Sequence, residues 1–273
     1  MPELPEVEVI RRNVVRLVGG HTLTAVEVPD DEVVRAGRLE SLVGLPLTAA
    51  RRRGKFLLLD FGASHTAIVH FRMTGKLVQV IEGEGRKRRA TLTFQGDVAL
   101  AFVDTRRLGH IDVVERDAVA GFGLLATMGP EPWPVPLGAA ALAGRFEGCP
   151  NPVKVAMMDQ TRVAGVGNIL ASEACYRAGI DPRLRPARLS LAEWAALAEA
   201  LCETCEVVVT AEEGGEVQYV NDGGPTEVDY FQVYQRAGRP CRGCGEPIAQ
   251  LKQAGRATFW CPSCQGGAEC RGG

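Results

Sequence analysis

No stretch of the 273 residues approaches the roughly 18 consecutive apolar positions that a membrane-spanning helix needs. The opening Met1-Pro2-Glu3-Leu4-Pro5-Glu6 also lacks the basic and apolar segments of a secretion signal. The reading is a chain with no membrane partner that works in the cytoplasm. Internal repeats and low-complexity tracts are missing as well, which excludes solenoid and linker architectures. Nor is there an excess of either charge, since 31 Lys and Arg stand against 33 Asp and Glu, a net of −2. What is present, 46% hydrophobic and 23% charged residues, describes an ordinary globular protein and excludes disorder as the main state. At roughly 150 residues per domain, the length argues for two domains.

The near-zero net charge conceals an uneven distribution. Between Arg51 and His110 there are twelve Lys or Arg against five Asp or Glu, including Arg51-Arg52-Arg53-Gly54-Lys55, Arg86-Lys87-Arg88-Arg89 and Arg106-Arg107. From Leu201 to Gln235 there are eight acidic residues and no basic ones. A basic patch suits a phosphate backbone, although a charge run alone equally describes a solvated face.

Pro5 suits the first turn of a helix, and Glu6 and Glu8 complement the positive end of its dipole. Val7, Ile10, Val14 and Leu17 recur at helical spacing until Gly19-Gly20 stops it. From Leu23 to about Val114 the pattern changes to short β-rich runs, predicted at 24–28, 56–61, 67–71, 90–94, 98–103 and 111–114, which together imply a β-sandwich or barrel. The segment Gly129-Pro130-Glu131-Pro132-Trp133-Pro134-Val135-Pro136 reads as a linker. Beyond it helices are predicted at 139–146, 152–158, 168–178 and 190–208, the last opened by the capping box Ser190/Glu193. Residues 214–227, with four glycines, read as a mobile loop, and the tail from Pro240 to Cys264 as strands around a turn near Gly255.

Nine cysteines in a reducing compartment make metal ligation the first hypothesis for any that cluster. Cys241-x2-Cys244 and Cys261-x2-Cys264, separated by 16 residues, have the spacing of a four-thiolate zinc site. Four thiolates close a tetrahedron and leave no position for substrate, so the metal is structural. Cys202 and Cys205 share the short spacing but lie in an amphipathic helix and read as buried thiols. Cys149, Cys175 and Cys270 have no evident partners.

Three separated motifs, Pro2-Glu3-Leu4-Pro5-Glu6, Asp159-Gln160-Thr161-Arg162-Val163-Ala164-Gly165-Val166-Gly167-Asn168-Ile169 and Gly255-Arg256-Ala257-Thr258-Phe259-Trp260-Cys261-Pro262-Ser263-Cys264-Gln265, together resemble formamidopyrimidine-DNA glycosylase. The resemblance covers nearly the whole chain in the family's order. It implies an α+β fold: an N-terminal helix with a β-sandwich catalytic domain (1–130), a helix-two-turns-helix DNA-binding domain (131–236) and a zinc-binding β-hairpin (237–273). It also implies a monomeric bifunctional DNA glycosylase and AP lyase acting on double-stranded DNA that contains oxidised purines or abasic sites, with one structural Zn2+. A flipped nucleotide is expected, because the damaged base must leave the stack for chemistry.

Within that resemblance the nucleophile is the amine of Pro2, exposed once Met1 is removed. An α-amine, with a pKa near 8 against about 10.4 for lysine, is roughly 10% neutral at pH 7 without deep burial. Attack at the sugar C1′ leaves an iminium that permits β- and δ-elimination. Glu3 is the proton-transfer group and Glu6 its supporting partner. Lys55 corresponds to the lysine beside the lesion phosphate, with His70, Arg107, Lys154, Asn168 and Arg256 as further phosphate contacts. Asn168 follows Gly165-Val166-Gly167 at a helix start, where it serves as helix cap, phosphate ligand or both. Met73, Arg106 and Leu108 match the wedge that fills the gap left by the extruded nucleotide.

Two features depart from the family's pattern. Leu108 stands where Phe is usual, so the wedge keeps apolar bulk without aromatic stacking, and the loop at 214–227 looks shorter and more acidic. In the family the wedge touches the orphaned partner base, so Leu108 bears on preference for the base opposite the lesion, and the loop bears on lesion preference. Endonuclease VIII relatives share the chemistry but favour oxidised pyrimidines, and Leu4 argues for the purine-directed branch. Two different classes of protein would also carry basic runs or paired cysteines, a damage-binding protein without catalysis and a zinc-ribbon RNA-binding protein. The presence of Pro2 and Glu3 argues against both.

Overall fold

The computed structural model describes residues 2–81, 87–215 and 229–266. They form two compact units, one of 2–127 with 212–215 and one of 128–211 with 229–266. In the first unit, helix α1 (Leu4–Val18) is followed by β1 (Leu23–Glu27), β2 (Val34–Ala36), β3 (Leu47–Arg53), β4 (Phe56–Phe61), β5 (His65–His70), β6 (Lys76–Gln79), β7 (Arg88–Phe94), β8 (Val98–Val103) and β9 (His110–Glu115). Two sheets result, ordered β1-β7-β8-β6 and β2-β9-β5-β4-β3. All described pairings are antiparallel except β2 with β9.

Side-chain alternation places the core. Leu57, Leu59 and Phe61 of β4, Ala67 and Val69 of β5, Ala90, Leu92 and Phe94 of β7 and Phe102 of β8 form one buried cluster with Val7, Ile10, Val14 and Val18 of α1. Aromatic pairs bridge the sheets, Phe61 with Phe94 at 6.4 Å and Phe71 with Phe102 at 6.0 Å. The alternate residues Phe56, Leu58 and Ile68 lie on the opposite face of the five-stranded sheet, packed with Val119, Phe122 and Leu125 of two short 3-10 turns.

The strands at 56–61 and 98–103 match expectation, and those at 24–28, 67–71, 90–94 and 111–114 differ only at their ends. Three strands were not predicted. β3 contains the run Arg51-Arg52-Arg53, and its burial pattern is mostly open because it is an edge strand. β2 and β6 have three and four residues, too short for an alternation to register.

The second unit holds α2 (Ala139–Gly144), α3 (Val153–Ala156), α4 (Asn168–Arg177), α5 (Leu191–Glu212), β10 (Ala249–Gln253) and β11 (Arg256–Trp260). Ser190 and Glu193 form the expected capping box, with the Ser190 N–H donating to Glu193 Oε2 at 2.8 Å and the Glu193 N–H to Ser190 Oγ at 3.3 Å. α5 runs past the expected Val208 to Glu212, since nothing between them breaks a helix. Segment 129–136 has neither helix nor strand, as its prolines require. Glu173 of α4 is fully buried and accepts the backbone N–H groups of Gln232, Val233 and Tyr234 at 2.8, 2.9 and 2.8 Å, tying α4 to the segment that leads into the hairpin. Cys205 is buried as expected, whereas Cys202 is half-buried. Arg86, most of the 214–227 loop and Cys270 lie outside the described residues.

Candidate active site and metal centre

Pro2 and Glu3 are both buried, and Glu3, only 2% exposed, is the N-cap of α1. The Glu3 N–H donates to Glu6 Oε2 at 2.9 Å, one arm of a reciprocal capping box. Two carboxylates therefore share one helical turn beside Pro2. Burial, reinforced by the charge of Glu3, pushes the Glu6 carboxyl up to about 7, so it exchanges a proton near neutrality. Glu8, two residues on, behaves oppositely. Burial alone would raise its pKa, but hydrogen bonds from Arg11 and Arg12 and the charge of Arg52 outweigh burial and hold it below the usual carboxylate range.

Lys55 follows Gly54, which turns β3 into β4 at φ +54°, and its side chain is largely buried despite its charge. His70 ends β5 and lies across from Phe56, next to Lys55 in the chain, in the antiparallel register. Its Nδ1 accepts the Arg72 N–H at 3.1 Å, so the proton of the neutral ring sits on Nε2. Burial, then the charges of Arg72, His110 and Lys55, push the His70 pKa down to about 3.

Met73 and Leu108 are among the exposed large apolar side chains, and Arg106 is exposed beside them in sequence. The segments carrying them are joined by a residue the motifs did not reveal, Asp104, whose side chain is fully buried. Asp104 accepts the Thr74 hydroxyl, the Arg106 N–H at 3.2 Å and the Gly109 N–H at 2.7 Å. Gly109 is required there: a Cβ would lie 2.7 Å from Phe102 and 3.0 Å from the Phe71 carbonyl oxygen. Arg107 is held by carboxylates, Asp30 at 2.8 Å and Glu32 at 3.1 Å. The signal for Asp104 in the sequence was an acid inside the basic region, too common a feature to single out.

In the second unit, Lys154 is fully buried and its ammonium donates to Asn168 Oδ1. The Asn168 amide in turn donates to the Ala257 carbonyl at 2.9 Å, next to the exposed Arg256 at the start of β11. The expected capping role of Asn168 is corrected here. Gly167 is the N-cap, and Asn168, the first residue of the helix, spends its side chain on Lys154 and Ala257 instead. Gln160 braces the preceding loop, accepting the Gly165 N–H at 2.9 Å and donating to the Val166 carbonyl at 2.8 Å. Lys154, Asn168 and Arg256, far apart in sequence, are thus drawn to one place.

The four hairpin cysteines also converge. Their Sγ atoms all lie within 4.8 Å of one another, with Cys241 to Cys264 at 3.8 Å and Cys244 to Cys261 at 3.4 Å, and none is in a disulfide. A Zn–S bond of about 2.3 Å sets a tetrahedral edge of about 3.8 Å, so a donor set of this kind and spacing fits zinc. The Gly243 and Cys264 N–H groups donate to Cys241 and Cys261 Sγ at 3.4 Å, and the Tyr176 hydroxyl lies 3.2 Å from Cys241 Sγ. Gln265 locks the knuckle, accepting the Cys261 N–H and donating to the Ile180 carbonyl, both at 2.7 Å.

The chain matches three family models in order: the formamidopyrimidine-DNA glycosylase N-terminal domain over residues 1–111, the H2TH domain of the same enzymes over 128–219, and the zinc finger found in FPG and IleRS over 238–266. The chain belongs to the formamidopyrimidine-DNA glycosylase family. Relatives named formamidopyrimidine-DNA glycosylase from Methylococcus capsulatus and Thiobacillus denitrificans are 40% and 38% identical, each alignment covering 97% of this chain and all of the relative. Among solved structures, a complex of Lactococcus lactis Fpg with abasic-site DNA is 28% identical and a complex of MutM with DNA containing carbocyclic 8-oxo-G is 29% identical. Both have a TM-score of 0.86 and cover 97% of this chain. The family is one of DNA glycosylase/AP lyases of base excision repair. No described helix is long and apolar enough to cross a membrane.

Proposed function

We propose that this chain excises oxidised purines, 8-oxoguanine and formamidopyrimidines, from duplex DNA and then cuts the strand at the resulting abasic site. Pro2, freed of Met1, supplies the nitrogen lone pair that forms a bond to C1′ as the bond from C1′ to the base breaks. Glu3 delivers the proton that opens the sugar ring, and Glu6 exchanges protons with it. The iminium that forms is an electron sink: loss of a C2′ proton expels the 3′ phosphate, and a second elimination expels the 5′ phosphate. Lys55 and His70 hold the phosphate beside the lesion, with Arg107, Lys154, Asn168 and Arg256 as further phosphate contacts. Met73, Arg106 and Leu108 fill the vacated space in the stack. Zinc, held by Cys241, Cys244, Cys261 and Cys264, folds the hairpin that presents Arg256. The enzyme works as a cytoplasmic monomer divided at about residues 130 and 236.

The observation that carries this reading is the buried pair Glu3 and Glu6 next to Pro2, one of them titrating near 7. Ordinary charge at a helix start is exposed and keeps its usual acidity. Borohydride reduction with matched duplexes tests it: a covalent adduct with 8-oxoguanine DNA supports the reading. An adduct formed strongly only with thymine glycol DNA assigns the chain to oxidised pyrimidines, and no adduct with any lesion leaves a damage-binding protein.

A further inference from the structure

At one end of the outer face of the five-stranded sheet, cross-strand register puts Phe56, His70 and His110 in one row. The two imidazoles stack at 5.6 Å and 7° between planes, and Phe56 packs its ring against His70 at 4.5 Å and 70°. His110 Nε2 lies 3.6 Å from Asp112 Oδ2, while its buried Nδ1 makes no hydrogen bond of normal geometry. The stacked imidazoles form a polar floor beside the apolar cluster of Leu58, Ile68 and Val119.

Two arginines border this floor. Arg72 follows His70 by two residues, and Arg35 lies on β2, the strand that pairs with β9 beside His110. Both are exposed, and among the described residues neither guanidinium has a hydrogen bond or a salt bridge, although the charge of Arg35 reaches Asp112. Several other arginines of this unit differ: Arg11, Arg12, Arg51, Arg52 and Arg89 each have a carboxylate within 3.5 Å. Arg72 also has φ +56°, a left-handed backbone that favours glycine, and its N–H fixes the tautomer of His70. A strained position filled by a long cation with no internal partner points to a partner from outside. The charges of Arg35 and Arg72 reach both imidazoles, together with Lys55 at His70 and Arg89 at His110, and Asp112 is the acid nearest the pair.

We propose that Arg35 and Arg72, set over the His70–His110 floor, form a further phosphate subsite that binds a backbone phosphodiester of the DNA and extends the contacts made by Lys55 and His70. The inference rests on the reading of the chain as a DNA-binding glycosylase. The imidazoles are neutral, so they contribute hydrogen bonding while the two arginines contribute the charge.

The test is the salt dependence of binding by the full chain to a duplex carrying a reduced abasic-site analogue, and to the same duplex undamaged. Each neutralised phosphate contact lowers the slope of log K against log salt by about 0.9. The double variant R35Q/R72Q loses about that much on both duplexes, so it loses about 3.5-fold less affinity between 50 and 200 mM salt, and Arg35→Gln and Arg72→Gln each lose part of it. Arg72→Lys keeps the slope. Arg72→Gly relieves the backbone while removing the charge, and is expected to melt no lower than the unaltered chain while losing the same part of the slope as Arg72→Gln, which separates binding from folding. A double variant R35Q/R72Q with an unchanged slope overturns the subsite even if the borohydride adduct forms. Failure of the unaltered chain to form that adduct overturns the catalytic reading while the slope comparison still decides the subsite.

Discussion

Glu6 has the usual acidity of a glutamate only when the chain is unfolded. Burial and Glu3 raise its folded pKa to about 7, so the native state binds more protons than the unfolded state between about 4.5 and 7. Its contribution to stability therefore falls as pH rises through that window, and above it the full cost of burying the charged form remains. Glu6→Gln cannot ionise, so its urea midpoint should gain on that of the unaltered chain between pH 5 and pH 8; equal midpoints at both values would contradict the assignment. The same variant should lose the limb near pH 7 in the pH profile of base release. Glu3→Gln should slow base release by about 10²- to 10⁴-fold while binding the abasic-analogue duplex normally. The identity of these residues was legible in Pro2-Glu3-Leu4-Pro5-Glu6, but the altered acidity was not, because it comes from burial that only the fold supplies. Asp104 and His110 were illegible for a related reason: their neighbours Thr74 and His70 are brought to them by strand register.

Two elements turn these residues into a device. The loop 104–109 that presents Arg106, Arg107 and Leu108 hangs on Asp104, whose carboxylate also lies 3.5 Å from the buried Arg89. Asp104→Ala strands the Gly109 N–H and the Thr74 hydroxyl, leaves the Arg106 N–H with Thr74 Oγ1 at 3.2 Å, and removes one carboxylate from Arg89, which retains Asp30 at 2.6 Å. A loss of about 3 kcal/mol is expected in denaturant unfolding, together with weaker selection of the base opposite the lesion. A loss below about 0.5 kcal/mol would show that the loop is held otherwise. The hairpin of β10 and β11 depends instead on metal, because its apolar cluster is small: Val233, Cys241, Ile248, Phe259 and Cys261. Cys244→Ser should release one equivalent of zinc by metal analysis and weaken duplex binding at least tenfold, with the unfolding transition of the β-sandwich retained. Strands such as β4 and β8 were legible because turns bound them and apolar residues dominate them. β3 was hidden because an edge strand tolerates charges along its open side, so its arginines read as a patch.

At the scale of the whole molecule, the informative sequence features are far apart: an N-terminal pentapeptide, a glycine-rich segment near the middle and a cysteine-bearing end. None is specific alone, since acids at a helix start, a Gly-Val-Gly turn and paired cysteines all recur in unrelated folds. Their order along one chain made the family legible, and the fold gathers Lys154, Asn168 and the Ala257 carbonyl beside Arg256. Net charge was the least informative number, because an acidic stretch at 201–235 cancels a basic one at 51–110. Duplex binding should therefore show the steep salt dependence of a cationic surface despite a net charge of −2. The most direct test of the central claim is mass spectrometry of the borohydride-reduced complex with 8-oxoguanine duplex. The account predicts one covalent adduct, mapped to the amine of Pro2 on a chain that lacks Met1. An adduct mapped to a lysine, or full strand cleavage by a chain that still carries Met1, would contradict it.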